Sequence, residues 1–326
     1  KGPAFVRQAV ARYIDRRDAG PEGAPARPAN VDHIFLTNGA SEGAMNVLEI
    51  LISGPKDGVM IPIPQYPLYS AAIRRCGGVQ VDYHPDEESG WTLSRDILEE
   101  AYAGATKNDV AVKAIVVINP GNPTGAVLPP DSVREVLAFA RQKGIAVIAD
   151  EVYQHNLYGA EWISFAAALG DATDVTLYSL HSASKGYYGE CGHRGGYLEV
   201  RNAPRVTGTD LDMIDVLYKR ASVSLCPNTL GQALTYLVVS PPESGTPPFE
   251  QFVRERDQVL SDLEEKATLI KAAFGKMDGV SCFGRIGAMY LFPRLDKLPA
   301  GTDDYQYCMA LLEDTGLVTV NGSGFG

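Results

Sequence analysis

Lys185 stands in Ser182-Ala183-Ser184-Lys185-Gly186, just after an apolar stretch at 175–179. A lysine amine becomes a nucleophile toward an aldehyde when burial disfavours its charged form. The carboxyl end of a strand is where open α/β sheets hold their ligands. Asp150 closes a second apolar stretch, 145–149, where a lone carboxylate is costly to bury unless it meets a positive partner. Taken one at a time, both have plainer readings: a surface lysine, and an aspartate that turns a strand into its loop. The five histidines show no ligand spacing. The cysteines (Cys76, Cys191, Cys226, Cys282, Cys308) are odd in number and lack a C-x-x-C pair. Neither a metal site nor a disulfide framework is expected, and reduced thiols point to an intracellular protein.

The elements that must position these residues alternate. Short apolar, β-branched stretches at 34–37, 59–62, 79–83, 112–118, 145–149, 175–179 and 196–200 read as strands. Several are continuously apolar, as strands covered on both faces should be. Helical patterns lie at 41–52, 69–76, 94–102, 130–142, 209–222 and 229–239. This repeated alternation predicts an α/β fold, a mainly parallel sheet with helices on both faces. The proline-rich segment 241–248 marks a boundary. A charged helix at 249–274 follows, then strand-like stretches at 289–292 and 317–320 around a helix near 305–313. The expected division is a ligand-holding large domain over 1–242, then a linking helix and part of a smaller α+β domain over 249–326.

Three motifs occur in order: Asn119-Pro120-Gly121-Asn122-Pro123-Thr124-Gly125, Asp150-Glu151-Val152-Tyr153 and Ser182-Ala183-Ser184-Lys185. Together they resemble the fold-type-I, class I/II aminotransferases, which use pyridoxal 5′-phosphate. Ile61-Pro62-Ile63-Pro64-Gln65-Tyr66-Pro67-Leu68-Tyr69-Ser70 and the stretch from Lys185 to Tyr197 resemble, within that family, the alanine aminotransferases. The likeness runs over essentially the whole chain.

The resemblance implies transfer of an amino group between L-alanine and 2-oxoglutarate, giving pyruvate and L-glutamate, in two half-reactions. Relatives acting on other amino acids share Lys185, Asp150 and Arg194, so these residues mark the class and not the substrate. Lys185 is expected to form the Schiff base with the cofactor and then to shuttle a proton. Asp150 is expected to pair with the pyridinium N–H and keep the ring an electron sink. Asn122 and Tyr153 are expected to hold the ring's phenolic oxygen, and Tyr66 to lay its ring against the cofactor face. The phosphate needs a cradle: Asn38-Gly39-Ala40-Ser41 follows a strand and opens a helix, so backbone N–H groups at Ala40 and Ser41 meet the positive end of the dipole. Ser41 and Ser182 add hydroxyls, and Arg194 a bidentate charge. A cis Asn122-Pro123 bond is expected from the family. His155 is given no role. The partners implied are an amino acid, a 2-oxo acid and a second copy of the chain.

Gly39-Ala40-Ser41-Glu42-Gly43 also matches G-x-S-x-G, the elbow of α/β-hydrolases. That reading needs a late histidine, and the last one is His193. A triad of Ser41 and Asp150 with His181 or His193 would leave Lys185, Asn122 and Arg194 without a task. Gly322-Ser323-Gly324-Phe325-Gly326 echoes a dinucleotide fingerprint without the helix that should follow it.

Composition narrows the classes. In 326 residues, 45% hydrophobic and 21% charged residues describe a core-forming chain of about two domains, not a disordered one. A net charge of −11 argues against a nucleic-acid backbone binder. No apolar run approaches the ~20 residues a membrane span needs. The chain opens at Lys1-Gly2-Pro3 and closes on a glycine run, which reads as truncation at both ends. On that reading the family's substrate-clamping arginine lies outside the chain. The rival expectation is then a cofactor-binding fragment without turnover, and cytoplasm and mitochondrion stay equally open.

Overall fold

The computed structural model describes residues 1–20 and 23–326. It begins with a helix, α1 (Ala4–Arg17), followed by β1 (Ile34–Asn38), α2 (Ala40–Leu51), β2 (Asp57–Pro62), α3 (Leu68–Arg75), β3 (Val79–Tyr83), α4 (Arg95–Lys107) and β4 (Ala111–Ile118). Then come α5 (Pro130–Lys143), β5 (Ala146–Asp150), α6 (Phe165–Leu169), β6 (Leu177–Ser182), β7 (Gly195–Arg201), α7 (Met213–Val223) and α8 (Thr229–Val239). The remainder is α9 (Phe249–Phe274), the short pair β8 (Val280–Ser281) and β9 (Arg294–Leu295), and α10 (Asp304–Thr315). Among the described residues no helix is long and apolar enough to cross a membrane.

The first seven strands form one sheet in the order β1-β7-β6-β5-β4-β2-β3. The strands β3, β2, β4, β5 and β6 run parallel, and β7 runs against both β6 and β1. Helices cover both faces, so the expected α/β architecture with a mainly parallel sheet holds. Strand alternation distributes the core. Ala114, Val116 and Ile118 of β4 and Ile148 of β5 pack with Val47, Leu48 and Ile73 beneath α2 and α3. Ile115, Val117 and Val147 point the other way, onto Leu98, Val136 and Phe139 of α4 and α5. A third cluster seats Val6, Val10 and Ile14 of α1 on Ile34, Leu36 and Tyr197.

Local chemistry sets most boundaries. In α5, Pro130 takes the first turn, where its missing N–H costs nothing, and Gly144 closes the helix at φ 64°. The helix expected at 209–222 starts later, because Asp212 and Asp215 form a capping box that makes Met213 its first residue. The strand expected at 175–179 is shifted to Leu177–Ser182, since its ladder with β7 continues through Ser182↔Gly196. Two expected strands are corrected. Stretch 289–292 is irregular, and the ladder here joins β8 to β9 instead. Stretch 317–320 also forms no strand: Leu317, Val318 and Val320 are exposed, and an apolar run without a neighbouring backbone has no ladder to join. Helix α1, with its apolar residues spaced three and four apart, was not among the sequence expectations.

Candidate active site

Three parallel strands end side by side. Ile118 of β4 pairs with Asp150 of β5, which pairs with Leu180 of β6. The turns beyond them carry Asn122, Tyr153 and Lys185, so residues far apart in sequence converge at one sheet edge, as the topology of such sheets dictates.

Asp150 is 6% exposed, and its Oδ2 accepts a hydrogen bond from the Tyr69 hydroxyl at 2.7 Å. The Val152 N–H reaches Oδ1 at 3.4 Å. Burial pushes the Asp150 carboxyl above its usual range, against the pull of Tyr69, the Val152 amide and the charge of Lys185. Among the described residues it forms no ion pair, so its charge is available to a cationic donor. Tyr69 itself is held well above its ordinary range by burial and by the carboxylate beside it.

The Lys185 amine is 5.3 Å from the centre of the Tyr153 ring and donates to the Tyr290 hydroxyl at 3.5 Å. The Tyr153 hydroxyl meets that of Tyr290 at 2.8 Å and accepts from the Asn122 amide at 3.2 Å. The Asn122-Pro123 bond is cis, as expected, and so are Ile63-Pro64 and Asn119-Pro120. Tyr66, in the turn before α3, is 42% exposed.

A second group lies where β1 enters α2. Gly39 is the N-cap at φ 76° and offers no side-chain cap, so the first-turn amides at Ala40 and Ser41 are uncapped. The Arg194 guanidinium lies against it: a Cβ on Gly39 would stand 2.5 Å from Nη2. Arg194 donates to the carbonyls of Asn38 at 3.1 Å and Cys191 at 3.2 Å, with no carboxylate partner among the described residues. The Glu42 carboxylate turns back to the Asn38 amide. The Ser182 hydroxyl donates to Ser184 Oγ at 2.9 Å, next to Gly195-Gly196 across the ladder.

Of the residues singled out in the sequence, Asn122, Asp150, Tyr153 and Lys185 come together, as do Ala40, Ser41, Ser182 and Arg194 at the helix entrance. Tyr66 reaches the first group only as a neighbour of Tyr69. Sequence reasoning missed Tyr69 as the partner of Asp150, although it lies in a quoted motif, and missed Tyr290 altogether. The hydrolase triad fails. Among the described residues both ring nitrogens of buried His181 lack hydrogen-bond partners, and its ring stacks 6.1 Å from that of Tyr13. His193 pairs instead with Glu190 at 2.9 Å.

The arrangement suits a flat ligand with three polar ends. Asp150 could meet a cationic donor, the Asn122–Tyr153 pair an oxygen, and the α2 amides with Arg194 an anionic group. The Lys185 amine stands beside the Tyr153–Tyr290 pair.

The family model described as Aminotransferase class I and II matches residues 1–326. The chain is 45% identical over 340 residues to alanine aminotransferase 1, mitochondrial, of Arabidopsis thaliana, covering 100% of this chain and 60% of that protein. It is 42% identical over 343 residues to glutamate–glyoxylate aminotransferase 2 of the same plant, covering 100% and 68%. Among solved structures it resembles an alanine aminotransferase from Pyrococcus furiosus with a TM-score of 0.82 at 26% identity, covering 100% of this chain and 75% of that one. The chain thus spans about three fifths to two thirds of the length of these curated relatives.

Proposed function

The chain belongs to the class I and II aminotransferases, and from that membership we propose that its protein exchanges an amino group between L-alanine and 2-oxoglutarate with pyridoxal 5′-phosphate as cofactor. The observation that carries the reading is the unpaired buried carboxylate of Asp150 at the same sheet edge as the Lys185 amine. The 45% identity to an alanine aminotransferase supports the choice of substrate.

Pyridoxal phosphate supplies an aldehyde that condenses with amines and a ring that takes up the electron pair left when a neighbouring C–H bond breaks. Lys185 would hold it by the amine and, once released, move a proton to or from the substrate's α-carbon. Asp150 would keep the ring nitrogen protonated; its raised pKa falls back when a cationic N–H arrives to share the buried charge. The Tyr69 hydroxyl fixes the carboxylate's aim. Asn122 and Tyr153 would hold the ring oxygen with neutral groups, and Tyr66 would lie along the ring. The amides at Ala40 and Ser41, the hydroxyls of Ser41 and Ser182 and the guanidinium of Arg194 would hold the phosphate. We read 1–242 as the cofactor-holding body, 249–326 as part of a smaller one that returns Tyr290 to the site, and the assembly as a homodimer.

The test is a single-turnover panel. The cofactor-loaded protein is mixed with L-alanine, L-glutamate, L-aspartate or L-phenylalanine, and the 2-oxo acid released is measured. Alanine and glutamate should convert fastest. Faster release from aspartate or phenylalanine would overturn the alanine reading. The likeness to a glutamate–glyoxylate enzyme favours a second pairing. Offering glyoxylate against pyruvate as the acceptor for a glutamate-derived amino group decides between them.

A further inference from the structure

The segment just before β9 reaches back to the lysine. Ala288 sits in the left-handed region at φ 50° and is fully buried, a costly conformation that persists only when its surroundings hold it. Its N–H donates to the carbonyl of Asn156 at 2.9 Å, and its own carbonyl accepts from the Tyr158 hydroxyl at 2.8 Å. A Cβ on Gly125 would collide with the carbonyl of Tyr290, and one on Gly287 would stand 2.8 Å from the carbonyl of Gly125. Glycine at both positions lets the two backbones touch. Asn156 is fully buried, and its Oδ1 accepts from the N–H of Gly186, the residue after Lys185, at 3.1 Å. One asparagine therefore ties the lysine turn to the segment that carries Tyr290.

We infer that Tyr290, registered on Lys185 through Asn156, is a further catalytic residue that holds the lysine's ammonium and directs the hydroxyl of Tyr153. The hydrogen-bond directions support this. Lys185 has only donors when charged and gives one to the Tyr290 oxygen at 3.5 Å. Asn122 gives an N–H to the Tyr153 oxygen at 3.2 Å. If Tyr290 in turn donates to Tyr153 across their 2.8 Å contact, Tyr153 accepts twice. Its own hydrogen is then free for a ligand oxygen. The chain of donors runs from the lysine to the tyrosine that faces the ring oxygen in the proposed function, and the inference rests on that reading for the reaction though not for the contact.

The experiment compares Tyr290→Phe with Tyr158→Phe. Tyr290→Phe takes a hydroxyl from the docked segment and Tyr158→Phe one that holds that segment at the Ala288 carbonyl, and only the first removes the lysine's acceptor. In the protein without cofactor, Lys185 is labelled with trace acetic anhydride at fixed pH and its peptide quantified by mass spectrometry against that of Lys56. Losing the acceptor frees the amine from its partner, so Tyr290→Phe should label Lys185 about three-fold faster than wild type. Tyr158→Phe should lower the melting temperature and label at the wild-type rate. With pyridoxal phosphate bound, Tyr290→Phe alone should shift the pH midpoint of the visible absorption band. Wild-type labelling in Tyr290→Phe, or equal acceleration in both variants, overturns the inference. A reducible cofactor adduct at Lys185 together with unchanged labelling overturns this inference alone. Altered labelling in a protein that forms no adduct upholds the contact and overturns the proposed cofactor instead.

Discussion

The Tyr69 hydroxyl and the Asp150 carboxylate meet at 2.7 Å with both side chains buried. A carboxylate taken out of water needs hydrogen bonds to its charged form, and here a helix residue provides the short one. Sequence separation hides the pair, which lie 81 positions apart.

Tyr69→Phe leaves Asp150 with the longer Val152 amide and the distant charge of Lys185. The carboxyl should then be driven further up, and its hold on a cationic ring N–H should weaken. The expected outcome is a roughly ten-fold rise in the Kd for pyridoxal phosphate, the scale of one hydrogen bond to a charged group. Fluorescence or absorbance titration of the two proteins reads it directly, and equal affinities would remove Tyr69 from the site.

Gly39→Ala should do more damage than its size suggests. The added Cβ meets the Arg194 guanidinium at 2.5 Å, and φ 76° is unfavourable for any side chain. Strain of this kind costs about 1–3 kcal/mol, and relief would push Arg194 away from the α2 amides. Urea unfolding should show the lost stability. Weaker binding of pyridoxal phosphate, with pyridoxal itself less affected, would show that the anionic end is the part disturbed.

Glu151 carries the clearest pH signature. Burial pushes its carboxyl from 4.5 up to about 7, against the opposing pull of Arg17 and the Phe165 amide. The folded state therefore binds a proton that the unfolded chain has already lost between those values. Stability contributed by this group is full below about pH 4.5 and falls as pH rises toward 7, by roughly 3 kcal/mol. Glu151→Gln keeps an oxygen for the Phe165 N–H, which Oε1 accepts at 2.7 Å, and removes the titration. Unfolding free energies across pH 5–8 should show the variant gaining on wild type as pH rises. A constant difference would contradict this assignment.

Legibility followed the physics of each element. Strands β4 and β5 stand out because both faces are covered, which demands unbroken apolar runs, and Asp150 is conspicuous for ending one. That β7 runs antiparallel was not visible, since a covered strand looks the same in either direction. The α2 entrance was legible from Gly39 through Ser41 because a glycine between a strand and a helix leaves first-turn amides uncapped, although the same residues also matched a hydrolase elbow. Tyr290 was not: it sits 105 positions from Lys185, in an apolar stretch whose pattern matches a strand. Only the close approach at Gly125 and Gly287 turns that stretch toward the site. The run at 317–320 misled for the opposite reason, having strand composition and no neighbouring backbone.

The central claim is that Lys185 is the amine that engages the cofactor's aldehyde. Mixing the protein with pyridoxal phosphate, reducing with borohydride and mapping the adduct by peptide mass spectrometry tests it most directly. The adduct should fall on Lys185 alone and vanish in Lys185→Arg. An adduct on a different lysine, or none from a folded protein, would contradict the account.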